Sequence, residues 1–74
     1  IRDSDRRLKT NIKLVGEKNG FNIYQFAYKV NPAVKYVGVM AQEVLEKMPE
    51  AVVTGINGFF GVDYDKIGLK MERA

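Results

Sequence analysis

The stretch that decides the fold is FNIYQFAYK, residues 21–29. It is rich in aromatic residues and free of glycine and proline, which is typical of a β-strand. Alternate residues fall on two faces, one carrying Phe21 and Ile23 and the other carrying Tyr24, Phe26 and Tyr28. Because both faces hold apolar side chains, we expect both to be covered. In a chain this short, neighbouring subunits would cover them most easily.

Turn signals flank this strand on both sides. The preceding Asn19-Gly20 pair is typical of a tight turn, because both residues tolerate positive φ. Pro32 lacks a backbone donor and is expected to break the strand before a second one over residues 35–39. Upstream, Asp5 is placed to cap a short helical stretch that begins near Arg6, and Leu8, Ile12 and Val15 fall at helical spacing. Residues 12–15 could equally form a short strand.

The second half of the chain mixes short helices and strands. Residues 40–48 predict a helix with one apolar stripe, which Pro49 ends. Strands are predicted over residues 51–54 and 59–62, and a closing helix capped by Asp63 over residues 64–73. The sequence therefore predicts a small α+β domain with short antiparallel strands, a short central helix and a C-terminal helix.

Composition limits how this domain can be stabilised. Ordering 74 residues costs roughly 110 kcal/mol, which burial in so short a chain barely offsets. The chain has no Cys and no His, so disulfides are excluded and neither a structural zinc site nor any other metal or cofactor is expected. We therefore expect an obligate homo-oligomer. No apolar run approaches the roughly 20 residues of a membrane span, so no membrane partner is expected.

The net charge of +3 is concentrated at the N-terminus, where five of the first thirteen residues are Arg or Lys. A basic segment of this kind could contact nucleic acid. The interpretation we prefer is a solvated or interface strip in which Asp3 and Asp5 pair with the basic residues. No nucleic-acid partner is therefore expected.

Ser4 and Lys9 are the candidate chemical groups. Without His or Cys, a serine activated by a lysine amine is one of the few nucleophilic schemes that remain. Residues five apart do not share a face on a regular helix or strand, so these two side chains meet only across a bend or between chains. We favour a bend at Asp5. The backbone or the Gln42 amide could supply oxyanion donors, and Asp5 could support the site.

Five short motifs occur in one order along the chain. They are SDRRLK (residues 4–9), IYQFAYK (23–29), GVMAQEV (38–44), PEAV (49–52) and VDY (62–64). Together they resemble the C-terminal intramolecular chaperone domain of phage tailspikes, tail fibres and neck appendages. This family is also called the peptidase S74 domain, and a relative occurs in transcription factors similar to myelin regulatory factor.

The resemblance implies a homotrimeric module that sets three chains of a fibrous protein in register and then cuts itself off. Ser4 would be the nucleophile, Lys9 the general base and Asp3–Ser4 the scissile bond. Residues 1–3 would then be the end of an upstream domain, and residues 4–74 the chaperone domain. The precursor would be a phage virion protein made in the bacterial cytoplasm, with the domain released after cleavage.

The Lys9 amine can act as a base only when it is neutral, which requires a pKa well below about 10.4. We expect burial on trimer assembly, together with repulsion from Arg6 and Arg7, to lower it. The alternative function is a non-catalytic trimerisation cap in which Ser4 and Lys9 are structural.

Overall fold

A long β-hairpin forms one side of the molecule in the computed structural model, which describes residues 1–74. Strands β1 (Arg2–Asp3), β2 (Lys9–Lys18) and β3 (Phe21–Tyr28) lie in the first part of the chain. Asn19 and Gly20 join β2 to β3 with φ values of 54° and 81°, as their residue types predict. Residues 12–15 belong to β2, so the strand is the correct one of the two alternatives.

All strand pairs are antiparallel and form two sheets. Downstream of the hairpin lie β4 (Asn31–Gly38), β5 (Val52–Thr54), β6 (Phe60–Val62) and β7 (Glu72–Arg73). The larger sheet has the order β2-β3-β4-β7, and the smaller has the order β1-β6-β5. The two helices are α1 (Ala41–Lys47) and α2 (Tyr64–Ile67), and 3-10 turns span Arg6–Leu8 and Pro49–Ala51. The mixed α+β class with antiparallel strands is confirmed.

Strand β3 lies between β2 and β4, and residues of the same chain cover both of its faces. Phe26 and Ala27 point to opposite faces, and each is only 1% exposed. Val39, Met40 and Val44 pack in the same core, so the loop after β4 and the buried side of α1 lie against the strands. At this position a neighbouring subunit is not needed to cover the second face of the strand. Apolar side chains remain exposed farther along the hairpin, at Leu14 and Val15.

Two predicted element boundaries are wrong. Pro32 lies inside β4 and does not separate two elements, because β3 and β4 are joined directly by a two-residue turn at Lys29 and Val30. The predicted C-terminal helix over residues 64–73 is a single turn. Gly68 adopts a left-handed φ of 69° and ends α2 there, and the chain then returns to the larger sheet as β7.

None of the helices combines the length and the apolar character needed to cross a membrane. The longest, α1, has seven residues.

Candidate active site

Ser4 and Lys9 meet within one chain. Asp5 is the N-cap of the 3-10 turn Arg6–Leu8, and its carboxylate accepts a hydrogen bond from the Arg7 backbone N–H. This turn bends the chain between β1 and β2, so that the Lys9 Nζ lies 2.8 Å from the Ser4 Oγ. The predicted bend at Asp5 is therefore present, and it brings the two side chains to hydrogen-bonding distance.

Burial sets the protonation of Lys9. The residue is only 3% exposed, and burial lowers the pKa of its amine to about 7, against a smaller opposing effect of the Asp5 carboxylate. The expected repulsion from Arg6 and Arg7 is not the cause, because Arg6 lies 3.9 Å from Glu43 and Arg7 is paired with Asp5. The expectation that assembly buries the amine is also wrong, since one chain is sufficient.

Two further groups contact the Lys9 amine. Its Nζ donates a hydrogen bond of 2.8 Å to the Val39 carbonyl oxygen and lies 3.8 Å from the centre of the Phe26 ring. A ring face attracts an ammonium and so opposes the loss of a proton. The carbonyl also restrains the direction of the amine. Together these contacts hold Nζ beside the serine in either protonation state.

The Ser4 hydroxyl is fixed by three neighbours. Ser4 is fully buried, and its Oγ donates a hydrogen bond of 2.8 Å to the Val39 carbonyl oxygen. The Tyr64 hydroxyl lies 3.1 Å from the Oγ on another side. Tyr64 also accepts a hydrogen bond of 3.1 Å from the Val39 N–H, which holds its hydroxyl in place. In this arrangement the Lys9 Nζ donates to the Ser4 Oγ, which in turn donates to the Val39 carbonyl oxygen. The Lys9 nitrogen can accept the serine proton only when the amine is neutral.

Tyr64 was not among the residues that the sequence indicated for the site. Its hydroxyl reaches the serine because residue 38 is glycine: a Cβ at that position would lie 2.5 Å from the Tyr64 oxygen and 3.0 Å from the Met71 Cγ. The VDY motif was the available signal, but a tyrosine at the start of a predicted helix fits the core equally well.

The Asp5 and Gln42 side chains support the bend and make no hydrogen bond to the Asp3–Ser4 peptide bond. The fully buried Asp5 carboxylate accepts hydrogen bonds from the Arg7 side chain, the Phe60 N–H and the Gln42 amide. These donors, Arg7 foremost, hold the pKa of Asp5 well below its ordinary range. The Gln42 amide oxygen in turn accepts from the Arg6 N–H at 2.9 Å. Gln42 therefore orients Asp5 and the 3-10 turn, and its amide does not face the Asp3 carbonyl.

A second tyrosine that the sequence did not indicate contacts the peptide bond before Ser4. The Tyr28 hydroxyl donates a hydrogen bond of 2.5 Å to the Asp3 carbonyl oxygen. Tyr28 belongs to the aromatic strand β3, where its alternation with neighbouring residues indicates only a packing role. Its position beside Asp3 follows from the strand register, which no local pattern in the sequence reveals.

The arrangement places an amine with a lowered pKa beside a serine hydroxyl, directly after a peptide carbonyl that accepts a hydrogen bond from a phenol. Such a site has the parts needed for attack of the hydroxyl on the preceding carbonyl carbon. No cluster of three or more acidic side chains is placed to hold a metal ion.

Comparison with known proteins identifies the family. No curated protein sequence and no solved structure gives a significant match to the chain. The family model of Peptidase S74, described as the chaperone of endosialidase, matches residues 4–53. The match begins at Ser4, includes Lys9 and covers more than half of the chain, and it agrees with the motif order described above. The chain belongs to the Peptidase S74 family, the chaperone of endosialidase.

Proposed function

We propose that this chain is an intramolecular chaperone that drives trimerisation and folding of an upstream phage fibre or spike domain and then releases itself by cutting the Asp3–Ser4 bond. The observation that carries the catalytic part is the 2.8 Å contact between the Lys9 Nζ and the Ser4 Oγ, in a site where both residues are buried. Residues 1–3 would remain on the upstream domain, and residues 4–74 would be released.

The proposed cleavage starts with transfer of the Ser4 Oγ proton to the neutral Lys9 amine. The Oγ attacks the Asp3 carbonyl carbon through a five-membered ring, and the C–N bond breaks as the Ser4 nitrogen takes up a proton from the Lys9 ammonium. This N-to-O acyl shift leaves an ester between Asp3 and the Ser4 side chain. Water then hydrolyses the ester to an Asp3 carboxylate and a domain with Ser4 as its new N-terminus.

The chaperone part has a separate physical basis. Fibrous β-rich trimers require non-local pairing of three chains, which is slow and prone to aggregation. A small module that associates first raises the effective concentration of the three upstream strands to roughly the millimolar range. Removing the module afterwards slows the reverse path, so the fibre is held together by a kinetic barrier. The exposed apolar side chains of Leu14 and Val15 on β2 are available for contacts between chains.

Cleavage is tested on a precursor that carries the upstream domain, by following its mass over time. We expect a fragment that begins at Ser4. Ser4→Ala and Lys9→Met should each leave the precursor intact, whereas Lys13→Met is the matched control, because Lys13 is exposed on the same strand. If the domain is instead a non-catalytic trimerisation cap, the unmodified precursor should stay intact. Cutting of the Ser4→Ala precursor at the parental rate would contradict the dyad.

The chaperone role is tested by deleting residues 4–74 and, separately, by preventing cleavage with Ser4→Ala. We expect the deletion to give insoluble or monomeric upstream protein, and the Ser4→Ala precursor to remain a soluble trimer. Light scattering coupled to size exclusion measures both states. A normal soluble trimer from the deletion would refute the role while leaving the cleavage chemistry untouched.

A further inference from the structure

We propose that Tyr28 is a catalytic residue of the self-cleavage, with its hydroxyl stabilising the oxyanion that forms on the Asp3 carbonyl oxygen. This inference rests on the proposed function, because it assigns a role at the same scissile bond.

The contact itself is the first support. The Tyr28 hydroxyl donates to the oxygen of the carbonyl that Ser4 would attack, at 2.5 Å. An oxyanion donor must contact the atom on which negative charge develops, and this hydroxyl already does. The other polar groups of the site lie elsewhere: the Gln42 amide donates to Asp5, and the Tyr64 hydroxyl contacts the Ser4 Oγ.

Strand pairing supplies the second support. Lys9 and Tyr28 are directly opposed in the β2–β3 ladder, so their side chains leave the sheet on the same face. The base and the oxyanion donor are therefore positioned by one backbone register. Tyr28 is the last residue of β3, and its backbone is paired with Lys9 on one side and with Asn31 on the other. Strand pairing on both sides holds a donor more precisely than a loop would.

Aromatic packing restrains the Tyr28 ring. Its centre lies 5.4 Å from that of Phe26 at an interplanar angle of 86°, and 5.4 Å from that of Tyr36 at 64°. Both are edge-to-face arrangements that favour one ring orientation. The Met71 Sδ lies 3.3 Å from the hydroxyl, and a thioether is a weak acceptor that competes poorly with the carbonyl.

The hydroxyl also keeps its proton under the conditions of the reaction. Burial, with a smaller contribution from Tyr64, raises the pKa of Tyr28 to about 12. The phenol therefore remains a donor at every pH at which the Lys9 amine changes charge. It would stabilise negative charge twice, first when Ser4 attacks and again when water attacks the ester.

The test is Tyr28→Phe in the precursor, which removes the hydroxyl and keeps the ring. Loss of one oxyanion donor lowers rates by about 100- to 1,000-fold, and we expect a first-order cleavage constant reduced by that factor. Tyr36→Phe is the matched control, because it removes a hydroxyl from the same aromatic cluster, and it should cut within about threefold of the parent. Thermal unfolding and circular dichroism verify that both variants fold.

A second measurement separates catalysis from packing. Fluorinated tyrosine incorporated at position 28 keeps the hydroxyl and nearly the same shape, while its phenol is more acidic. We expect the cleavage rate of the precursor to change with the acidity of the phenol at position 28. Precursors that also carry Ser4→Ala should stay uncut with every tyrosine analogue. A parental rate in Tyr28→Phe, or a rate independent of phenol acidity, overturns the assignment. An uncut parent, or a cut Ser4→Ala protein, instead overturns the proposed function.

Discussion

Lys9 and Tyr28 lie directly opposite each other across the β2–β3 ladder, and their side chains contact two consecutive residues, Ser4 and Asp3. The Lys9 amine contacts the Ser4 hydroxyl, and the Tyr28 hydroxyl contacts the carbonyl of the preceding residue. A slip of one residue between the strands would turn Lys9 to the other face. The site is therefore assembled only when this hairpin has its native register, which links the proposed cleavage to correct folding of the chain.

Cleavage should depend on pH through the Lys9 amine. Because its pKa is about 7, the fraction of neutral base falls about tenfold per pH unit below that value and saturates above it. We expect the first-order rate to rise up to about pH 8 and then to level off. Quenched time courses between pH 5.5 and 9 measure it. A rate that continues to rise tenfold per unit to pH 9 would indicate an amine with its ordinary pKa.

The same amine should make the free energy of unfolding depend on pH, which we would measure in the Ser4→Ala protein, where the proposed cleavage cannot interfere. Between pH 7 and 9 the unfolded chain keeps the Lys9 proton and the folded chain loses it, so the unfolded state binds more protons. The free energy of unfolding should therefore increase with pH, by about 2 kcal/mol over this window. Urea unfolding at both pH values measures the change. Adding Lys9→Met should remove most of it, and an equal slope in both proteins would contradict the assignment.

The sequence predicts the hairpin well and the end of the chain poorly. FNIYQFAYK and Asn19-Gly20 specify a strand and a turn through local preferences, and both are present. The closing helix fails because the spacing of Tyr64, Ile67 and Met71 fits burial on a helix, while all three are buried by a one-turn helix and a return to the sheet. Gly68 carried the relevant signal, since it favours the left-handed conformation that ends a helix.

In the candidate site, too, the local features could be predicted from the sequence and the long-range contacts could not. The bend that joins Ser4 to Lys9 is local, so the capping preference of Asp5 was enough to predict it. Tyr28, Tyr64 and the Val39 carbonyl reach the serine or its preceding peptide from residues that are distant in sequence. Such contacts depend on strand register and helix packing, which spacing along the chain does not encode. For the same reason, the sequence could not show that one chain buries the amine by itself.

Gly38→Ala should disturb the site by displacing Tyr64, which contacts Ser4. The new methyl group would lie 2.5 Å from the Tyr64 hydroxyl and displace it from Ser4. We expect a loss of about 1–3 kcal/mol in unfolding free energy and a cleavage rate about 10- to 100-fold lower. The matched control is Gly16→Ala, where a Cβ meets nothing within 4 Å. Comparable effects in the two variants, measured by urea unfolding and precursor cleavage, would refute the steric argument.

Asp5→Asn should weaken the turn that positions the dyad. The buried carboxylate accepts bonds from Arg7, Gln42 and the Phe60 N–H, and an amide cannot accept all of them. We expect a loss of about 3 kcal/mol at pH 7. The pKa of Asp5 is lowered in the folded chain, so its contribution is present above about pH 4 and is lost as the pH falls below that.

Chemical unfolding of the parent and of Asp5→Asn at pH 7 and pH 3 measures the loss of stability and its dependence on pH. The difference between parent and variant should be smaller at the acidic pH. Asp63→Asn is the control, because Asp63 caps α2 by position and its side chain makes no capping hydrogen bond. An unchanged unfolding free energy in Asp5→Asn would show that the carboxylate network does not hold the turn.

The dyad should act only within its own chain. Lys9 and Ser4 of one chain are 2.8 Å apart and both are buried by that chain, so a neighbour has no path to supply either group. When Ser4→Ala and Lys9→Met precursors are refolded together, we expect no cleavage of either chain. When parent and Ser4→Ala precursors are mixed, the parent chains should be cut at their usual rate. Distinct mass tags on the two chains let mass spectrometry follow each separately. Release of a fragment beginning at Ser4 from the Lys9→Met chain would require an amine from a neighbouring subunit, and would show that the site is shared.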